Sequence, residues 1–420
     1  MKKLFLFFCL FFSFSLFAQN ELQEAINRQN WLKVDRLMNN DPYAKDNIPQ
    51  AQYYLIRAAT DNALARYDES ARRLQIVSEM QEVKENPQLM VTLLTLQADN
   101  YAKMFRHRQA AETFKRLTDD FSVFLGEVKA ITQNSFRRHN ALSEVEPLQV
   151  RVPYNTKIQL IPDKKDLLQV QVRTPKDSVL LVFDTGGGMS SVTKSAAERL
   201  GIRILTDSII AGGATGNTEF MSIGVADTLF VGDILYKNVV FGIFDDELFS
   251  WSEADYYING VLGFPEIRVL PSMKMYNKSN IIEVFPATKD FLASNMLLTS
   301  HQKIIEVNDS LLFLLDTGAL LTCLSVAYYN RNKEYIHESG QLSTTKIGGM
   351  GEIREFSVYN LNNFPIKIGE TTTILPEISV FTEHTIGRHD GILGMDIISL
   401  FDYILLDFKN MRFSLGNTEK

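Results

Sequence analysis

Cysteine is almost missing from this chain: two of its 420 residues are cysteine, Cys9 and Cys323. Cys9 lies inside Met1 to Ala18, MKKLFLFFCLFFSFSLFA. Two lysines, an apolar core and Phe-Ala before Gln19 give that segment the layout of a secretory leader cleaved after Ala18. The apolar run is too short to span a bilayer comfortably as an anchor, and Cys9 lacks the small-residue approach of a lipid-attachment site. With the leader gone only Cys323 remains, so no internal disulfide is available and stability must come from core burial. Cys323 itself follows an apolar strand and reads as a core residue. No later stretch is long and apolar enough to cross a membrane. The mature protein is therefore expected to be exported, to the periplasm or the medium, with no membrane span.

Other absences exclude whole chemistries. The six histidines (His107, His139, His301, His337, His384 and His389) show no His-x-x-x-His or Glu-adjacent spacing, so no metal site is expected. No Gly-x-Ser-x-Gly elbow occurs, which removes the main serine-hydrolase reading. Gly187-Gly188 lacks the later glycine and helix start of a dinucleotide fingerprint, and no cofactor is implied. Positive charge is in deficit. The formal net charge is −7, falling to about −9 without Lys2 and Lys3, and an acidic balance argues against a nucleic-acid partner. The composition, 45% hydrophobic and 22% charged, is that of an ordinary globular chain with room for two or three domains.

From Glu21 to about Asn140 glycine is nearly absent and apolar residues recur at three and four, the helical period. Two segments align at an offset of about 40, Leu64-Ala-Arg-Tyr-Asp-Glu-Ser-Ala71-Arg-Arg-Leu74 and Met104-Phe-Arg-His-Arg-Gln-Ala110-Ala-Glu-Thr-Phe114. These resemble degenerate tetratricopeptide repeats, with Ala65 and Phe105 at that family's turn glycine. A plain helical bundle is the simpler alternative, and either is all-α. Such an array commonly binds a protein partner or docks on its neighbour. His107 reads as a turn or surface residue. Ser143 to Pro153, SEVEPLQVRVP, ends the helical pattern, and short apolar or alternating runs follow, as sheets require.

The β-rich part is organised around a duplicated stretch. Leu180 to Val192, LLVFDTGGGMSSV, is matched by Leu311 to Leu324, LLFLLDTGALLTCL. Each is a buried-strand pattern that delivers an aspartate, Asp184 or Asp316, to a loop tip, where an unpaired carboxylate would be costly. Gly260-Val-Leu-Gly263 stands 76 residues after Asp184, and Gly391-Ile-Leu-Gly394 stands 75 after Asp316. A glycine-rich hairpin candidate lies between in each case, Gly212-Gly-Ala-Thr-Gly216 and Gly348-Gly-Met-Gly351. After each Leu-Gly comes a further strand pair, Met275 to Phe285 and Leu406 to Leu415. Four landmarks repeated in order make an internal duplication, and the two aspartates read as a catalytic pair.

At these residues the chain resembles the aspartic proteases, closer to the retropepsin-like branch than to the pepsins. The resemblance runs from about Val152 to Leu415, with Gly187 and Gly188 standing where the family usually has Ser, Thr or Ala. It implies two β-rich lobes with a cleft between them and hydrolysis of peptide bonds by Asp184 and Asp316 through an activated water. It also implies supporting roles for Thr185, Gly186, Thr317 and Gly318 in the active loops. Gly212, Gly213 and Gly216, with Gly348, Gly349 and Gly351, would form flaps that close on an extended peptide or protein substrate.

The expected organisation is multidomain. A leader, 1–18, precedes an all-α repeat domain, 19–142, and a mainly-β bilobal protease fold with lobes at 143–298 and 299–420. The second lobe is expected to open with Lys303 to Val307. The competing function is a catalytically inactive, protease-like scaffold whose helices hold a protein partner.

Overall fold

The computed structural model describes residues 17–41, 47–213, 215–252, 255–287, 293–299, 302–349, 351–383 and 389–417. Most of the candidate leader lies outside the described residues. Two compact units divide the chain, Met1–Pro147 with Leu297–Ser300, and Leu148–Met296 with His301–Lys420.

The first unit is helical. Three helix pairs succeed one another: Phe17–Asn27 with Trp31–Asn40, Gln50–Ala63 with Tyr67–Ser78, and Pro87–Lys103 with His107–Asp120. Helix starts follow local chemistry. The Asn30 and Asn86 side chains accept hydrogen bonds from first-turn amides, and Pro87 occupies the first helical position, where its missing N–H costs nothing. The turns repeat. Gln29, Ala65 and Phe105 all adopt positive φ, +56°, +58° and +57°. In each turn the next amide reaches back across five residues: Asn30 to the Ala25 carbonyl, Arg66 to Asp61 and Arg106 to Tyr101. Sequence had marked two of these turns; the third, at Gln29, carried no signal.

Ser70 is the small buried residue of its helix, and its hydroxyl donates to the Ala58 carbonyl at 2.8 Å. One detail departs from expectation. His107 is buried rather than exposed, with its Nδ1 3.0 Å from that of His139. Burial and the nearby Arg138 charge push His107 down to about 4.

The second unit is mainly β, and each half repeats one strand order. In the first half the aspartate strand, Ser178–Phe183, pairs with Leu168–Arg173 on one side and, in parallel, with Gly260–Leu262 on the other. Gly260–Leu262 then pairs with Ser190–Thr193, and Ser190–Thr193 with Ile234–Phe244. The second half repeats this with Leu311–Leu315, Lys303–Val307, Gly391–Leu393, Cys323–Leu324 and Thr371–Phe381. A short strand, Met296–Leu298, precedes Lys303–Val307, which was expected to come first. Each half adds a long hairpin, Arg203–Gly212 with Thr218–Val231 and Gln341–Gly349 with Glu352–Ile368.

The halves are tied by a shared sheet. Ser272–Tyr276 and Tyr403–Asp407, the equivalent strands of the duplication, pair antiparallel about their midpoint, Lys274 opposite Leu405. Ile281–Phe285 and Arg412–Gly416 flank them, and Thr156–Gln159 completes five strands. Met273, Met275, Ile404 and Leu406 are buried along the central pair, so the seam is a core as well as a hydrogen-bond ladder. Among the described residues no helix is long and apolar enough to cross a membrane.

Candidate active site

Asp184 and Asp316 each stand one residue beyond a buried parallel strand pair. The Asp184 amide donates to the Leu262 carbonyl at 3.1 Å, and the Asp316 amide to Leu393 at 3.0 Å, so the Val-Leu-Gly and Ile-Leu-Gly strands hold the aspartate backbones. Each carboxylate accepts from the amide two residues on, Gly186 at 2.6 Å and Gly318 at 2.8 Å. The two carboxyls act on each other across the halves, and each lies against the other half's active loop, where Gly186 faces Asp316 and Gly318 faces Asp184. Burial and the Asp184 charge raise the Asp316 carboxyl well above the usual range.

The threonines reciprocate about the same axis. Each amide donates to the other's hydroxyl at 3.0 Å, Thr185 to Thr317 and Thr317 to Thr185. Each hydroxyl then donates into the opposite strand, Thr185 to the Leu315 carbonyl at 3.2 Å and Thr317 to Phe183 at 2.8 Å. Both side chains are fully buried, so this network registers one aspartate loop against the other in a low-dielectric setting. Gly186 and Gly318 are needed for close approach. A Cβ on Gly186 would lie 2.3 Å from the Asp316 carboxyl carbon, and one on Gly318 would lie 3.0 Å from that of Asp184.

The hairpin glycines lie at two tips. Gly212 ends a strand, the Gly213 amide donates to the Asn217 carbonyl at 2.9 Å, and Gly216 turns with φ +92°. Gly348 and Gly349 are the last paired residues of their strand, and Gly351 turns with φ +73°. Ala214 and Met350 lie outside the described residues. The tips meet, since the Thr215 hydroxyl donates to the Glu352 carboxylate at 2.5 Å and Arg354 donates to the Thr215 carbonyl at 3.1 Å. Sequence reading found the glycines but not this cross-half contact, for which a single threonine and glutamate give no signal.

It also missed a second pair of supports. Ser190 stands six residues after Asp184 and Thr322 six after Asp316. Their hydroxyls accept from the amides of Gly263 at 2.8 Å and Gly394 at 3.0 Å, and donate to the carboxylates of Glu266 and Asp396. The repeat could have revealed them, because both hydroxyl positions match. Burial raises Glu266 to about 7. An acid that holds its proton more tightly when folded contributes full stability below its ordinary value and loses it as pH rises towards the folded one. The Glu266 term should therefore decline between about pH 4.5 and 7, by on the order of 3 kcal/mol. Glu266→Gln should flatten that decline and be the more stable protein at pH 8, as read from urea midpoints at pH 5 and 8.

Cys323 is half-buried as a residue, and burial of its thiol raises it to about 12, which fits the packing role expected of it. No cluster of His, Cys, Asp or Glu that could hold a metal occurs among the described residues.

Two aspartates presented by repeated β halves and joined through a two-fold threonine network define the class of site. The sequence model of the family described as aspartyl protease matches residues 170–265, the stretch holding Asp184, the first hairpin and Gly260 to Gly263. The chain carries an aspartyl-protease-like domain. Among solved structures it is similar to conglutin gamma, a basic 7S globulin from lupine seeds, with TM-score 0.40 and 10% identity over 64% of this chain and 96% of that one. It is similar also to basic 7S globulin from soybean, with TM-score 0.39 and 12% identity over 63% of this chain and 95% of that one. No curated protein matches the chain.

Proposed function

We propose that the protein is an exported aspartic endopeptidase. The observation that carries this reading is the pairing of the two aspartate loops, locked by reciprocal threonine hydrogen bonds and admitted by a glycine of each half against the other's carboxyl. Two carboxyls this close share one proton, and aspartic proteases are the general example of such a pair. One carboxyl of the pair carries the shared proton and gives it to the scissile carbonyl oxygen. The other, ionised, takes a proton from a water that attacks the carbonyl carbon. The tetrahedral intermediate then collapses: the carboxyl that took the water's proton passes it to the nitrogen, the C–N bond breaks, and a hydroxyl of the intermediate returns its proton to the pair as the product acid forms.

The substrate is an extended peptide lying under the two hairpins and pairing with their backbones. Apolar side chains exposed near these elements, Phe220, Leu342 and Ile353 on the hairpins and Leu320 and Leu321 after the second active loop, favour apolar residues beside the cut. We assign the helices to a tetratricopeptide-like array that docks a protein partner, on the strength of the three repeated left-handed turns. Export to the periplasm or medium rests on the leader-like layout of Met1 to Ala18.

The test is cleavage of a diverse peptide mixture by the mature protein from acid to neutral pH, with a statine-type inhibitor as control. Cuts that disappear with the inhibitor and cluster at apolar residues are expected. No cleavage at any pH by a folded sample would replace this reading with the scaffold one.

A further inference from the structure

Among the described residues, Lys303 is the charged group near the aspartate pair that the proposed mechanism does not use. It opens the strand Lys303–Val307, which pairs with the strand leading to Asp316. Its side chain is fully buried, and its Nζ has no hydrogen-bond partner among the described residues. The ammonium lies 4.9 Å from the centroid of the Phe264 ring, directly after the first half's Gly263, so it sits across the junction of the halves. Burial pushes the Lys303 ammonium down to about 7, against the opposing pull of the Asp316 and, more weakly, Asp184 charges.

Other charged groups on the elements around it are engaged elsewhere or exposed. Leu311–Leu315 carries none, and Glu266 on the Phe264–Ile267 helix bonds Ser190. On Glu352–Ile368, Glu352 and Arg354 meet Thr215, Lys367 pairs with Asp309, and Glu355 is exposed.

The duplication shows that this lysine is an addition. Ile304 faces Leu314, two residues before Asp316, and Gln169 faces Val182, two before Asp184. The position equivalent to Lys303 is therefore Leu168, buried and apolar. An ammonium buried without a hydrogen-bond partner costs several kcal/mol unless a charge compensates it. A pair holding one proton supplies the one negative charge that balances the ammonium when Lys303 is protonated.

We propose that Lys303 is a positioning residue for the aspartate pair: the cation that the second half buries beside both carboxyls, and that Leu168 omits from the first, fixes the charge of the pair and so the pH range over which it works. The effect on rate rests on the endopeptidase reading, whereas the effect on carboxyl titration does not. A nearby cation favours ionised carboxylates. Its removal should raise both macroscopic steps of the pair and move the activity profile towards alkaline pH.

The experiment compares the mature protein with Lys303→Met and Lys303→Arg, by kcat/KM against pH on a cleaved peptide and by carboxyl-carbon NMR titration of Asp316. In Lys303→Met the acid limb and the Asp316 titration should both move up by about one unit or more, and Lys303→Arg should hold both near the parent's. A folded Lys303→Met that titrates as the parent does overturns the proposal. So does an equal shift in Lys303→Arg, which would assign the effect to shape rather than charge. If the parent cleaves nothing, the endopeptidase reading fails and the Asp316 titration alone decides about Lys303. If Lys303→Met does not fold, the reciprocal measurement decides. Coupling acts equally both ways, so Asp316→Asn should lower the pH at which the Lys303 amine loses its proton by about a unit, and an unmoved amine overturns the proposal.

Discussion

Asp184→Asn and Asp316→Asn are each expected to remove peptide hydrolysis, with a loss of kcat/KM of roughly 10⁴-fold or more, because one substitution takes away the shared proton on which both steps depend. The two changes act on one device, so the double variant should be no worse than either single one. Folding should survive. An asparagine oxygen at either place still accepts from the amide of Gly186 or Gly318, which now lie 2.6 Å and 2.8 Å from the carboxylates. Asp316→Asn also removes an ionisable group that burial penalises, so thermal unfolding at neutral pH should be unchanged or higher. Turnover rates beside melting curves check both halves of the expectation, and substantial cleavage by either variant would sink the pair as the catalytic device.

Gly186→Ala and Gly318→Ala should differ although the tripeptides that hold them are identical. The methyl on Gly186 would sit 2.3 to 2.5 Å from all three carboxyl atoms of Asp316, inside any tolerable contact. The carboxyl must move, and a displacement of about 1 Å costs on the order of 10²-fold in rate, with roughly 1–3 kcal/mol of stability from overpacking. The methyl on Gly318 would meet Asp184 at 3.0 to 3.2 Å, a gap that a few tenths of an ångström relieve, so a loss of about tenfold or less is expected. Gly212→Ala and Gly348→Ala are the controls, because a Cβ at either meets nothing within 4 Å. Parallel kcat/KM and denaturant curves for the four proteins test the order. Equal losses at Gly186 and Gly318 would mean that the two halves approach the pair symmetrically.

The aspartate pair was legible in the sequence because it occurs twice. A single Asp-Thr-Gly is common turn chemistry, but a buried strand, tripeptide, glycine hairpin and Gly-x-Leu-Gly in the same order leave few structures to satisfy them all. The hairpins, whose turns need glycine, and the helical region, whose period is 3.6, were visible for similarly local reasons. Contacts between residues far apart that obey no repeated pattern were not. Lys303 reads in sequence as the polar start of an ordinary strand, and only the fold brings it to carboxyls from both halves. Thr215 and Glu352 are 137 residues apart and have no counterpart elsewhere in the duplication. Gln29 escaped notice because no aligned segment marked it; like Ala65 and Phe105 it takes left-handed backbone without glycine, at a cost of about 1–2 kcal/mol that helix packing must outweigh. His107 was misread because a polar residue after a turn is usually solvated, whereas here His139 covers it.

The sheet in which Ser272–Tyr276 meets Tyr403–Asp407 sets the kinetic order of the whole device. A site assembled from two separate protomers is lost on dilution, because its halves must find each other before anything can be cut. Here the meeting is intramolecular, and five backbone positions on each central strand hold it shut. Specific activity should therefore stay constant as the protein becomes scarce.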